Sequence, residues 1–370
     1  MSTLFSPFPL RSLVLPNRIV ISPMCQYSAD HGKATAWHLL HLGHLALSGA
    51  AMLCLEATAV ESDGRITPAD LGLWDDATEA ALVPVLAAIR QHSKIAVVVQ
   101  LSHAGRKASS HVPWEGGQQV PLAQGGWLAH APSALAQKDG ELAPQALDTD
   151  GLLRVRDAFV AAARRADRLG MDGVELHAAH GYLLHQFLSP LSNQRPDAYG
   201  GTLENRMRFP LEVFDAVRAA FPTEKPVGVR MSASDWVDGG WDIAQTIAFA
   251  QELKRRGVDW IDVSSGGISP LQKIPLAAGY QVPFAQAIKE ATGVATMAVG
   301  LITEAQQAED ILASGQADMV ALGRAILYDP RWPWHAAATL GGTIQAPPQY
   351  WRSAPRGLNG IFGEITIGGR

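Results

Sequence analysis

The chain has 370 residues, of which 47% are hydrophobic and 18% charged, below the roughly 25% charged residues of an average soluble domain. Such a composition supplies a large core and excludes intrinsic disorder; a net charge of -5 with a pI near 6.2 excludes the clustered positive charge that nucleic acids and anionic membranes require. Two cysteines, Cys25 and Cys54, exclude a disulfide framework and point to a reducing, cytoplasmic compartment.

Read from the start, MSTLFSPFPLRS lacks the basic and apolar regions of a secretory signal. The most apolar window, 42–60, is broken by His44, Ser48, Gly49 and Glu56, so no membrane span is expected. Eight short, nearly continuous apolar runs recur at 19–22, 52–55, 95–100, 173–176, 227–230, 260–263, 295–299 and 319–322. Continuous apolarity without strict alternation fits strands covered on both faces, as in an all-parallel sheet. Helical patterns lie between them. In 150–169 the residues Phe159, Ala162, Ala163 and Ala166 share a face opposite Arg164, Arg165 and Arg168; Asp148, Thr149 and Asp150 are N-cap candidates, and Gly170 ends it. Further helices are expected at 204–221, 242–256 and 303–314. The segment 102–149, rich in Gly, Trp and Pro, reads as a long lid after the third strand, with small hairpins.

Eight strand–helix units without a Gly-rich dinucleotide fingerprint predict an α/β protein of the (β/α)8 TIM-barrel class, a single domain over 1–340 with a C-terminal tail at 341–370. In such barrels the chemistry sits just after the strands. The first strand leads into Ser22, Pro23, Met24, Cys25 and Tyr27; the second into Glu56 and Ala57; the third into Gln100, His103 and Lys107. The fourth leads into His177, His180 and Tyr182, and the fifth ends in Arg230. The last three end in Gly266, Gly300 and Gly323 with Arg324, a pattern suited either to tight turns or to a phosphate. Gln100 and Arg230 suit a heterocycle with imide edges and an anionic reduced form, although Arg230 could instead pair with Glu56 or Glu175. Two imidazoles beside a phenol suit hydride addition to a polarised double bond. His38, His41 and His44 share one helical face with no carboxylate beside them in sequence, a structural or interface pattern. Cys25 carries no thiol-protease signature.

The segments PNRIVISPMCQYS, EATAVESDGRITPADLGLW, QLSHAGRKAS, VELHAAHGYLLHQFLSPLSNQRPDAYGG, GVRMSASDW and ALGRAIL, in this order, closely resemble the Old Yellow Enzyme family, in particular its bacterial ene-reductase subgroup typified by xenobiotic reductase A. The resemblance implies noncovalent FMN, reduced by NADPH or NADH, and reduction of alkenes activated by a carbonyl or nitro group. By that likeness Ser22, Pro23, Met24, Ala57, Gln100, His177 and Arg230 hold the flavin ring and ribityl chain, and Gly300, Gly323 and Arg324 its phosphate. Cys25 tunes the flavin. His177 and His180 bind the substrate oxygen, flavin N5 delivers hydride, and Tyr182 protonates the α-carbon from the opposite face. Tyr27 and Lys107 border the substrate. In the tail, Trp351 and Arg352 reach into a neighbouring subunit's site, which implies a homodimer or homotetramer. Small electron-poor alkenes are the implied partners, with no nucleic acid, membrane or metal. The residues alone leave two other readings open, a metal-dependent barrel hydrolase using His177, His180 and His103 and a noncatalytic flavin-binding protein.

Overall fold

The computed structural model describes residues 2–365. Its centre is a closed parallel barrel of eight strands: β1 (Ile19–Ile21), β2 (Met52–Ala59), β3 (Ala96–Ser102), β4 (Gly173–Ala178), β5 (Val227–Ser232), β6 (Trp260–Ser264), β7 (Ala295–Ala298) and β8 (Met319–Leu322). They follow one another in chain order around the barrel, and β8 closes on β1 through Val320 opposite Ile19. An outer helix follows each strand: α1 (Ala36–Ala46), α2 (Asp76–His92), α3 (Thr149–Arg168), α4 (Leu203–Ala220), α5 (Ile243–Arg255), α6 (Val282–Thr292), α7 (Ala305–Ala313) and α8 (Trp332–Leu340), with short extra helices at Leu183–Leu188 and Arg324–Tyr328. This is the TIM barrel expected from the eight apolar runs.

The helix signals act as expected. Of the three N-cap candidates before α3, Asp148 accepts the Gly151 N–H at 2.8 Å, and Leu152, Val155, Phe159, Ala162, Ala163 and Ala166 form the buried face. Its outer arginines reach α2, with Arg168 forked onto Glu79. The histidine series of α1 differs from its local reading. His38 is buried with Nε2 3.4 Å from Glu56 Oε1, so a carboxylate distant in sequence does accompany it.

Inside the barrel, side chains stack in layers set by the two-residue period of each strand. The lower layers are apolar: Val20, Met52, Cys54, Ala96, Val98, Met297 and Met319 pack together with Leu10 and Leu15. Those two leucines come from an antiparallel hairpin, Phe8–Leu10 with Leu13–Leu15, that covers the bottom. Above lies a polar layer. Glu175 accepts the Gln100 Nε2–H and the Trp260 Nε1–H, each at 2.9 Å, across Gly228. A Cβ at position 228 would stand 1.9 Å from Trp260 Cε2, so the indole reaches the carboxylate only because that position lacks a side chain.

The lid between β3 and α3 is made of single 3-10 turns and two short pairings. Ser110 faces Gln119 in an antiparallel bridge, flanked by His111 N–H on Gln118 O and Val120 N–H on Ser109 O, which is a small hairpin as expected; His130–Ala131 lies parallel to Gln145–Ala146. The tail folds under α8, where Ile344, Ile361 and Phe362 pack with Ala337 and half-buried Trp351. No helix among the described residues is long and apolar enough to cross a membrane.

Gly228→Ala is expected to destabilise the protein by about 2–3 kcal/mol through overpacking against Trp260. Gly43→Ala, in α1 with open space around it, is expected to stabilise by up to about 1 kcal/mol. Urea unfolding midpoints of the two variants should therefore move in opposite directions.

Candidate active site

The polar layers continue upward to the mouth through the inward positions of β4, β5 and β6. His177 stands level with Arg230, which stands level with Asp262; one step higher Ser232 is level with Ser264. Arg230 Nε lies 3.0 Å from Asp262 Oδ2, so the buried guanidinium pairs with Asp262 rather than with Glu56 or Glu175. Burial and the neighbouring Asp262 push the Glu175 carboxyl up to about 7, and burial likewise raises Asp262.

Directly above, His177 Nδ1 accepts the Ala179 N–H at 3.3 Å. A neutral imidazole carries one proton, so that of His177 sits on Nε2. This nitrogen faces His180 Nδ1 at 3.4 Å, with the rings nearly perpendicular at 88°. Burial, followed by the Arg230 charge, holds both imidazoles well below their ordinary value, so both are neutral at pH 7.

His180 has φ +58°, a left-handed backbone that is costly for a residue with a side chain. Its N–H donates to Ser232 Oγ at 3.0 Å, and its carbonyl accepts from Lys107 Nζ at 2.7 Å. A Cβ on Gly181 would meet the Gly267 carbonyl at 2.1 Å, so the turns after β4 and β6 interlock only through glycine. Tyr182 stands edge-on to His177 with ring centres 4.8 Å apart, and the Lys107 ammonium lies 5.0 Å from its ring centre. Burial keeps this phenol protonated, well above its ordinary value, and lowers the Lys107 amine to about 8. Below the turn, buried His185 pairs with Asp235 at 2.9 Å while its Nδ1 accepts the Gly181 N–H.

On the far rim, Ser22, Pro23, Met24, Cys25 and Tyr27 follow β1, and Gln26 N–H donates to Glu56, which sits at an irregularity of β2 just before Ala57. Burial, with Asp70 and Glu56 nearby, raises the Cys25 thiol well above its ordinary value; it is a neutral contact group, not a resting thiolate. Tyr27 and Lys107 border a cavity of about 270 Å³ beneath the lid. After β7 and β8, Gly300 has φ +116° and Gly323 precedes the short helix Arg324–Tyr328, with Arg324 exposed. Gly266 departs from its expected role. Its N–H donates to Ser234 O at 2.7 Å, so that donor is not available to an anion, and the residue serves the turn instead. Trp351 donates to Ala346 O at 3.0 Å within the tail, beside a cleft bordered by Gly49, Ala50 and Ile95, where β2 and β3 begin. Trp351 and the adjacent Arg352 thus lie at the barrel end opposite the mouth of their own chain.

A profile of the NADH:flavin oxidoreductase / NADH oxidase family matches residues 3–341. The chain belongs to this family, the Old Yellow Enzymes. It is 43% identical over 353 residues to an NADPH dehydrogenase of Geobacillus thermodenitrificans, covering 95% of this chain and 98% of the relative. It is 44% identical over 375 residues to an NADH:flavin oxidoreductase of Gibberella zeae, covering 96% and 90%. Among solved structures, morphinone reductase superposes with a TM-score of 0.77 at 30% identity, covering 94% of this chain and 92% of that one.

This Old Yellow Enzyme is a flavin-dependent oxidoreductase that uses FMN, with NAD(P)H as reductant. Its mouth fits the flavin. Ser22 Oγ and Arg230 Nε are buried without a hydrogen-bond partner among the described residues. Gln100 gives its amide N–H to Glu175, which leaves its carbonyl for a ring N–H. Membership sets aside the hydrolase and the noncatalytic binder. The structure separates His103 from the histidine pair as well: its ring faces Glu61 and Asp63, and its Nδ1 accepts the Gly105 N–H at 3.0 Å. The His103 proton therefore lies on Nε2, which stands 3.5 Å from Glu61 Oε2.

Sequence reasoning did not assign Glu175, Asp262, Ser232 or Ser264. Glu175 and Ser232 stand two residues from His177 and Arg230 on the same inward faces, whereas Asp262 and Ser264 lie level with Arg230 and Ser232 on the adjoining strand, which only the barrel register reveals. Because the folded protein favours neutral Glu175, it holds a proton that the unfolded chain releases above its ordinary value of 4.5; stability therefore falls as pH rises from there through about 7. Asp70, also raised to about 7 by burial, acts in the same direction. Glu175→Gln should leave a shallower decline in unfolding midpoint over that window, and an unchanged slope would contradict the assignment.

Proposed function

We propose that this Old Yellow Enzyme is an ene-reductase acting on small alkenes activated by a carbonyl or nitro group. The observation that supports this most strongly is the approach of His177 Nε2 and His180 Nδ1 to 3.4 Å beside a protonated Tyr182. Two neutral ring nitrogens so placed receive one substrate oxygen and stabilise the negative charge that grows on it, which makes the β-carbon electrophilic. Reduced FMN, when bound, supplies a hydride from N5. Tyr182 keeps its proton for the α-carbon, and the Lys107 ammonium over its ring lowers the cost of the developing phenolate.

Ser22, Pro23, Met24, Ala57 and Gln100 would hold the flavin ring and ribityl chain, with Arg230 opposite Gln100 and His177 at the substrate edge. Gly300, Gly323 and Arg324 would hold the phosphate. Cys25, a neutral thiol, would touch the ring without a covalent bond, and Tyr27 and Lys107 would border the substrate. The tail lies away from its own mouth, so a contribution of Trp351 and Arg352 to a site would come from another copy in a homodimer or homotetramer. Free thiols and modest charge fit a cytoplasmic enzyme.

Anaerobic NADPH should bleach the yellow holoenzyme, and an enone such as 2-cyclohexenone should restore the colour. Tyr182→Phe should slow re-oxidation by about 10²–10⁴-fold while reduction by NADPH stays nearly unchanged. His177→Ala or His180→Ala should weaken binding of phenol about 10–100-fold, the cost of one charge-assisted hydrogen bond. Protein that stays colourless after incubation with FMN would refute the proposal.

A further inference from the structure

We infer that the Ser264 hydroxyl is a positioning residue that sets which nitrogen of His180 carries the proton, and so lets the imidazole pair change from an internally bonded state to an oxygen-binding one. The inference rests on the reading that the two histidines receive a substrate oxygen. Its geometry stands on the protein alone.

With His177 protonated on Nε2, the nitrogen facing it, His180 Nδ1, can accept only if it is bare. The single proton of neutral His180 then lies on Nε2, 2.7 Å from Ser264 Oγ, which accepts it. Ser264 in turn lies 3.5 Å from Gln281 Oε1 and can direct its own hydrogen there. Gln281 is held in one orientation, because its Nε2 donates to Val299 O at 2.9 Å and its Oε1 accepts from Ser265 Oγ at 2.6 Å. The resting chain therefore runs in one direction, from His177 to His180 to Ser264 to Gln281.

A carbonyl or phenolate oxygen cannot join this chain unaltered. It has only lone pairs to offer, and the bare His180 Nδ1 would repel it. For both imidazoles to donate, His180 must take a proton from solvent water at Nδ1 and return its Nε2 proton to solvent water, so that the ring is neutral before and after the exchange. Ser264 then reverses, turning its hydrogen from Gln281 to His180 Nε2. A hydroxyl is suited to this because it can both donate and accept. The backbone of His180 need not move, since Ser232 and Lys107 hold it on either side.

Holoenzyme labelled with ¹⁵N-histidine reports this directly through ring ¹H–¹⁵N correlations, with the His180 signal identified by its loss in His180→Gln. Without ligand, His180 should be protonated on Nε2; with saturating phenol it should be protonated on Nδ1. Ser264→Ala should bind phenol about tenfold more weakly and raise KM for an enone more than it lowers kcat, whereas Ser264→Thr should restore both. A resting proton on Nδ1, an unchanged proton position in bound enzyme, or wild-type phenol affinity in Ser264→Ala would each overturn the inference. Wild-type spectra, assigned with His180→Gln, decide between these outcomes even if the Ser264 variants fold poorly. If phenol fails to bind at all, the oxygen-site reading fails; if it binds without moving the His180 proton, only the Ser264 inference fails.

Discussion

A guanidinium buried inside a barrel governs the mouth above it. Arg230 is only 7% exposed, and it is tolerable there because Asp262 lies 3.0 Å away on the adjoining strand. One layer down, burial raises the second carboxyl, Glu175, to about 7, which limits the negative charge the cluster carries at neutral pH. The remaining positive field reaches upward. It helps keep His177 and His180 neutral.

The same arrangement follows from strand geometry. Because alternate residues face inward, three strands carry the interior from Glu175 to His177, from Gly228 through Arg230 to Ser232, and from Trp260 through Asp262 to Ser264. Apolar packing at the bottom gives way to a hydrogen-bonded layer and then to the histidine pair at the mouth. Glycine enters this scheme twice for steric reasons, at Gly228 to admit the Trp260 indole and at Gly181 and Gly267 to let two turns touch.

Much of this was legible in the sequence, because buried parallel strands are apolar on both faces and their beginnings stand out. Their ends did not. Strand β4 runs on to Ala178, β5 to Ser232 and β6 to Ser264, past the points where apolarity stops, because inward polar residues belong to the strands themselves. Contacts between distant segments were also hidden: the pairing of His38 with Glu56, the choice of Asp262 for Arg230 and the hairpin plug at Phe8–Leu15 depend on the closed barrel. His177, His180 and Tyr182 were visible because they crowd one strand end. Gly266 looked alike in sequence to Gly300 and Gly323, but only the fold shows its N–H engaged by Ser234.

In the proposed reaction two neutral imidazoles would receive an anionic oxygen under the field of Arg230. Calorimetric titration of the holoenzyme with phenol at pH 7, in buffers of different ionisation enthalpy, measures the protons released on binding. A phenol with a free pKa near 10 that binds as phenolate to neutral histidines must release about one proton per site. Binding with no proton release would mean that the phenol stays neutral or that the histidines take up its proton, and would contradict the account.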